Sequence, residues 1–248
     1  MSFLMKGKRA RAAWKQAEKE HKVRKEEMEN MVYRYYLPTG ASGKITFLDG
    51  KLGPDGLIDV NMIKEHNLHM NGHWKNWFLC TEHGGEGEDG SPPSEPCPIC
   101  EGGDKPYSAA VFTIVDWSKW EDKKGKTHQY EIKLFVAKRE ALNILQKRAT
   151  KYKGLAGCTF EVERAGDNSP NVGNVFDFVN KHPLKTLVGA FAKRGVKLGL
   201  INYEKRLKYR TADELRKLGF GTGQPVGSEK AVEEEEFDGS DDDLSTLL

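Results

Sequence analysis

The sequence predicts a mainly β (α+β) domain, and three observations carry that expectation. Five to seven short segments rich in β-branched and aromatic residues are bounded by Gly, Pro, Asn and Asp turns. One amphipathic helical segment, residues 139–152, lies among them. No apolar run approaches the ~20 residues a membrane-spanning helix needs. Five strands with a helix in one connection suit an OB-fold-like barrel. Flanking helices and a disordered acidic C-terminal tail complete the expected layout.

The elements follow in order. Residues 1–30 form a charged N-terminal arm or helix, and the stretch from Lys6 to Asn30 carries nine Lys/Arg against five Glu with no Pro. It suits either a solvated helix with i,i+4 pairs or a basic arm that meets phosphates or a neighbouring protomer. The core is expected over 31–220. KITFLDG (44–50) and the apolar run 57–63 predict short strands on either side of a Pro54-Asp55-Gly56 turn. An Asn71-Gly72 pair predicts a hairpin turn before HWKNWFLC (73–80). Segments 105–120 and 129–138 form the strongest strand pair, and 157–166 and 174–180 follow the helix. In 129–138, Ile132, Leu134 and Val136 alternate with Lys133, Phe135 and Ala137. After His182-Pro183 the chain becomes basic and less regular. Thr211 with Glu214 predicts a capping-box start for a helix over 211–220. Residues 221–248 form a linker and tail.

Three of four cysteines, Cys80, Cys97 and Cys100, and four of seven histidines, His66, His69, His73 and His83, fall between 66 and 100. Cys97-Pro98-Ile99-Cys100 is a C-x2-C knuckle, a spacing that presents two thiolates to one tetrahedral zinc from a single tight turn. Cys80 supplies a third thiolate. The fourth ligand is open at this point. His83 makes a C-x2-H step with Cys80, whereas His66 reaches Cys80 across the hairpin. MSFLMKGKRARAAWKQ has no apolar core of a signal peptide, so a reducing compartment is expected, where such cysteines favour metal over disulfide. Four N/S ligands close the shell, so one structural zinc is expected in a subdomain spanning about 62–104. The loop 84–96, rich in Gly, Glu, Pro and Ser, would be anchored by the metal at both ends.

The formal net charge of +2 conceals an asymmetry. Residues 229–248 carry nine Asp/Glu against one Lys, so the rest of the chain is near +10. A basic body implies a polyanionic partner, and an acidic tail implies a second partner of its own. Catalytic patterns are absent: no phosphate-binding G-x-x-x-x-G-K-[ST], no H-E-x-x-H and no G-x-S-x-G. Pro96-Cys97-Pro98-Ile99-Cys100 matches half of the zinc-deaminase signature, but no H-x-E precedes it. No enzyme activity is expected.

What remains is aromatics interleaved with cations: Arg34, Tyr35 and Tyr36; Trp74, Lys75 and Trp77; Lys105 and Tyr107; Trp117, Lys119 and Trp120; then Tyr130, Lys133, Phe135 and Lys138. Single strands are held by stacking bases on rings while cations follow the backbone. These residues are the candidate DNA contacts. A zinc-ribbon module that binds duplex DNA or protein in transcription regulation is the alternative expectation.

EPCPICEGGDKPYSAAVFTIVDW, the upstream EHNLHMNGHWKNWFLC and the terminal DDDLSTLL together resemble the zinc-containing single-stranded DNA-binding (helix-destabilising) proteins of tailed bacteriophages. The resemblance covers about residues 30–180 and the tail. It implies an OB-fold core with a zinc subdomain, and His66 as fourth ligand because the family places its histidine upstream across an N-G hairpin. It further implies cooperative, sequence-independent coating of single-stranded DNA in phage replication, recombination and repair, with self-association on DNA. The tail at 229–248 would recruit replication and recombination proteins, in the cytoplasm of an infected bacterial host. The long 80–97 loop and the long N-terminal arm depart from the family pattern.

Overall fold

The computed structural model describes residues 6–29, 33–70, 73–82, 95–121, 125 and 127–221. Two units are present, residues 1–33 and 34–248. The first holds helix α1 (Gly7–Glu29), in which most described side chains are exposed, Trp14 among them, with a Lys22–Glu18 pair at 3.2 Å. Among the described residues, no helix is long and apolar enough to cross a membrane.

The second unit is a mixed helix-and-strand protein built on an open, antiparallel sheet of seven strands. These are β1 (Ser42–Phe47), β2 (Asn61–Met70), β3 (His73–Leu79), β4 (Tyr107–Glu121), β5 (Thr127–Lys138), β6 (Cys158–Glu163) and β7 (Val175–Lys181). The order is β3-β2-β4-β1-β6-β7, with β5 on β4. β4 is the hub. One edge pairs with β5 from Ala109 to Glu121, and the other pairs first with β2 and then with β1. The segment after α1 joins the far ends: Tyr35 N–H donates to the Leu134 carbonyl (2.8 Å) and Leu37 N–H to that of Asn171 (2.7 Å).

The core follows strand periodicity. Ala110, Phe112 and Ile114 of β4 face Ile45 and Phe47 of β1 and Phe160 and Val162 of β6, all buried. Phe47 sits edge-on to Phe112, Phe135 and Phe160 at 5.5, 5.3 and 5.9 Å, a geometry that adds to area burial. Helix α3 (Arg139–Tyr152) seals one end through Ala141, Leu145 and Ala149 at i, i+4, i+8.

Several expectations are corrected here. The strand expected over 57–63 begins instead at Asn61 and runs on through the polar residues 64–67, because Pro54–Gly56 and the Leu52–Ile58 bridge hold 52–58 in a turn. The stretch after His182-Pro183, expected to be less regular, contains helices α4 (Leu184–Ala192) and α5 (Tyr203–Arg206). Helix α6 (Ala212–Lys217) starts on the Thr211/Glu214 capping box. Tyr35 and Phe135, expected as DNA contacts, are core residues stacked on each other at 5.8 Å; Phe135 is fully buried and offers no ring to a ligand.

β4 also carries a bulge opposite β5. Asp116 pairs with Glu131 and Lys119 with Gln129, so Trp117 and Ser118 oppose Tyr130 alone. Tyr130 takes φ +60°, a conformation non-glycine residues adopt at a cost. Gly157 has a stricter requirement: its φ is +85°, and a Cβ there would collide with the His182 carbonyl.

Urea unfolding of the metal-loaded protein should therefore show Phe47→Ala losing about 3–5 kcal/mol. Gly157→Ala should lose more than about 1 kcal/mol.

Candidate metal centre

Three segments converge on one point. The β2–β3 hairpin sets His66 opposite Phe78, and Cys80 follows β3 with its N–H donating to the Lys64 carbonyl (2.9 Å). Cys97 precedes the single-turn helix α2 (Pro98–Glu101), where Pro98 loses no hydrogen bond at the first position. Glu101 N–H donates to the Cys97 carbonyl (2.9 Å), closing the turn that brings Cys97 and Cys100 to one side.

His66 Nε2 lies 3.5 Å from Cys97 Sγ and 3.6 Å from Cys100 Sγ, and Cys80 Sγ is 3.7 Å from Cys100 Sγ. All four ligand atoms lie within 4.8 Å of one another. A tetrahedral ion with bonds of about 2.3 Å to sulfur and about 2.0–2.1 Å to nitrogen has edges of about 3.8 Å between sulfurs and about 3.6 Å from sulfur to nitrogen. These three separations match those edges and the rest stay within 4.8 Å, so the cluster can hold one metal ion such as zinc. His66 Nδ1–H donates to the Asp104 carboxylate (2.5 Å), which fixes the tautomer that turns Nε2 toward the sulfurs.

The surroundings are apolar. Leu68, Ile99, Leu215 and Phe220 are buried around the cysteines, with Phe78 edge-on to Phe220 at 5.1 Å. Burial raises the Cys80 and Cys100 thiols. Burial would raise Cys97 too, but the hydrogen bond to His66 and the amides of Cys100 and Thr81 outweigh it and bring it down to about 5. For His66, burial favours the neutral ring, yet Cys97 and Asp104 beside it leave the net shift upward. A metal must displace these protons, so its affinity rises with pH.

A second cluster sits one residue away. Glu65 is fully buried and accepts both Arg34 Nη atoms (2.7 and 2.6 Å) and the Tyr107 hydroxyl (2.6 Å). The Arg34 guanidinium lies 4.2 Å over Trp77, and Lys138 Nζ lies 3.9 Å over Tyr107. Arg34, Trp77, Tyr107 and Lys138 are thus brought together beside the metal centre. Trp117, Tyr130 and Lys133 form a separate group at the bulge. Trp117 Nε1–H donates to Thr46 (2.8 Å) and its ring is edge-on to Tyr130 at 5.4 Å. Lys133 pairs with Asp116 at 2.8 Å. Trp120, 39% exposed, stacks on His128 at 4.3 Å near the hairpin tip, and Lys119 and Lys105 are exposed. Tyr36 is half-buried, with the Arg164 guanidinium 5.9 Å from its ring. His83, the tail at 229–248, and the side chains of Trp74 and Lys75 lie outside the described residues.

Sequence reasoning missed Asp104, Glu65 and Lys44, whose Nζ lies 5.3 Å over Trp117. An acidic residue just after the knuckle was the available signal for Asp104. Comparison of the chain with protein-family models and with curated proteins finds no match.

Mass spectrometry of the native protein is expected to find one metal ion per chain. Asp104→Asn should weaken chelator-resistant binding about 10–100-fold, and the remaining affinity should fall as pH is lowered from 8 to 5.

Proposed function

We propose that the chain is a non-catalytic single-stranded DNA-binding protein. Its sheet is read as an OB-type barrel, and its Cys80, Cys97, Cys100 and His66 hold one structural zinc. The observation that carries the reading is the series of aromatic rings partnered by cations or His on and beside β4: Trp77 with Arg34, Tyr107 with Lys138, Trp117 with Lys44, and Trp120 with His128. Tyr107 and Trp120 lie thirteen residues apart on one strand, a span of roughly 40 Å at the rise of an extended chain. Rings spaced along a strand with adjacent positive charge suit successive bases and a phosphate backbone. The charge distribution of the sequence supports the same reading, with a body near +10 once the acidic tail is set aside.

The resemblance to phage helix-destabilising proteins supplies the biological setting. In that setting the protein coats single strands during replication, recombination and repair in the host cytoplasm. Residues 229–248 would recruit replication and recombination proteins, and neighbouring copies would associate on DNA. A closed tetrahedral donor set leaves no position for substrate, which fits a structural ion better than a catalytic one.

Titration with fluorescent poly-dT and a matched duplex, at low and high salt, tests the reading. Expected is tight binding to poly-dT that weakens steeply with salt, as released counterions require. Preference for duplex would overturn it and favour a zinc-ribbon module.

A further inference from the structure

The sheet's aromatic clusters do not account for most of the positive charge. Arg34 is neutralised by Glu65 and Lys133 by Asp116. By contrast, residues 183–217 carry ten Lys/Arg against three Asp/Glu. This segment lies along β4, running antiparallel to it. Leu187 and Phe191 of α4 bury against Val115 and pack on Trp117 near the bulge. Ile201 N–H and the Tyr203 hydroxyl then engage Thr113 Oγ1 (3.1 and 2.8 Å), and Tyr203 also donates to Asp49. Leu215 and Phe220 finally bury against Cys97 and Ile99 at the metal centre. Leu187 and Phe191 are buried against the sheet, Ile201 is buried beside Thr113, and Leu215 and Phe220 are buried at the metal centre.

The cations therefore face outward. Lys193, Lys197 and Lys205 are exposed, and among the described residues no carboxylate lies within ion-pair distance of them. Arg194 donates to the Tyr130 hydroxyl (2.7 Å) and lies 5.1 Å from its ring, fixing one end of the segment at the strained bulge. Tyr209, 41% exposed, lies between Lys208 and Arg210 in sequence and near the metal centre, where burial and the charge of Glu95 raise its hydroxyl. An exposed ring and lysines without a described carboxylate in ion-pair distance, on an anchored segment, form the pairing of stacking and charge that single strands need.

We infer that residues 193–210 form a backbone track for single-stranded DNA, with Lys193, Lys197 and Lys205 on phosphates and Tyr209 stacking a base. The inference rests on the single-strand reading and locates the strand on this segment. It differs from the sequence expectation, which put the phosphate contacts on Arg34, Lys75, Lys105, Lys119, Lys133 and Lys138.

The experiment compares binding of the full metal-loaded chain to a fluorescent dT oligomer across salt concentration. K193A/K197A/K205A is set beside K51A/K147A/K151A, which removes three exposed lysines elsewhere. The first variant should flatten the log–log salt slope by about 2, at about 0.7 per lost single-strand contact, while the second leaves it unchanged. Y209A should lower affinity about fivefold or more without altering the slope. On the unsubstituted protein, dT should slow acetylation of Lys193, Lys197 and Lys205. Intact dT binding with an unchanged slope and unchanged acetylation would overturn the track and leave the single-strand reading standing. Equal flattening by both triple variants would also overturn it. Absence of dT binding by the unsubstituted protein would sink both ideas.

Discussion

One geometric constraint organises this end of the molecule: four donor atoms from three separate segments must reach the corners of one tetrahedron. His66 comes from the middle of a strand, Cys80 from the end of its neighbour, and Cys97 and Cys100 from a single helical turn. Neither the β2–β3 ribbon nor a four-residue helix is stable alone, since a lone hairpin is marginal and a single turn is below the length at which helices persist. An ion shared by these four donors would add what local structure lacks. The same constraint reaches outward, because Asp104 orients His66 while Glu65, the adjacent residue, holds Arg34 and Tyr107. Metal ligation and the placement of an aromatic–cation cluster are thus coupled through two consecutive residues of β2.

β4 extends that order across the domain. It is the strand on which the inner core, β5, and the outer 183–221 segment all rest. The outer segment touches the bulge at Trp117 and Tyr130, the middle at Thr113, and the metal centre through Leu215 and Phe220. The left-handed conformation of Tyr130 persists because Trp117, Phe191 and Arg194 surround its ring.

Much of this was legible from residue types. The helix at 139–152 shows its inward face as Ala141, Leu145 and Ala149, and the three cysteines announce their own chemistry. The Asn71-Gly72 pair allowed His66 to be placed opposite the end of the next strand. What was not legible has separate physical causes, and burial of polar groups is the first. β2 reads as polar, yet Glu65 and His66 are fully buried, because an ion pair and a ligand cluster replace apolar contact. In β5 the alternation pointed to Ile132, Leu134 and Val136 as one face, but residues 134–137 are all buried, so period-two patterning could not separate core from surface and Phe135 was misplaced. The cationic segment was noticed as basic, but its apolar residues are too widely spaced to announce that it lies along a strand.

The central claim is that one ion holds together the hairpin, the knuckle and α6, and through them the surface proposed to meet DNA. Amide hydrogen exchange of the metal-loaded and chelator-stripped protein tests it most directly. Stripping should remove protection from β2, β3, α2 and α6 while β1, β5 and β6 keep theirs, since their core is built of Phe47, Phe135 and Phe160. Unchanged protection in the hairpin and knuckle after removal of the metal would contradict the claim.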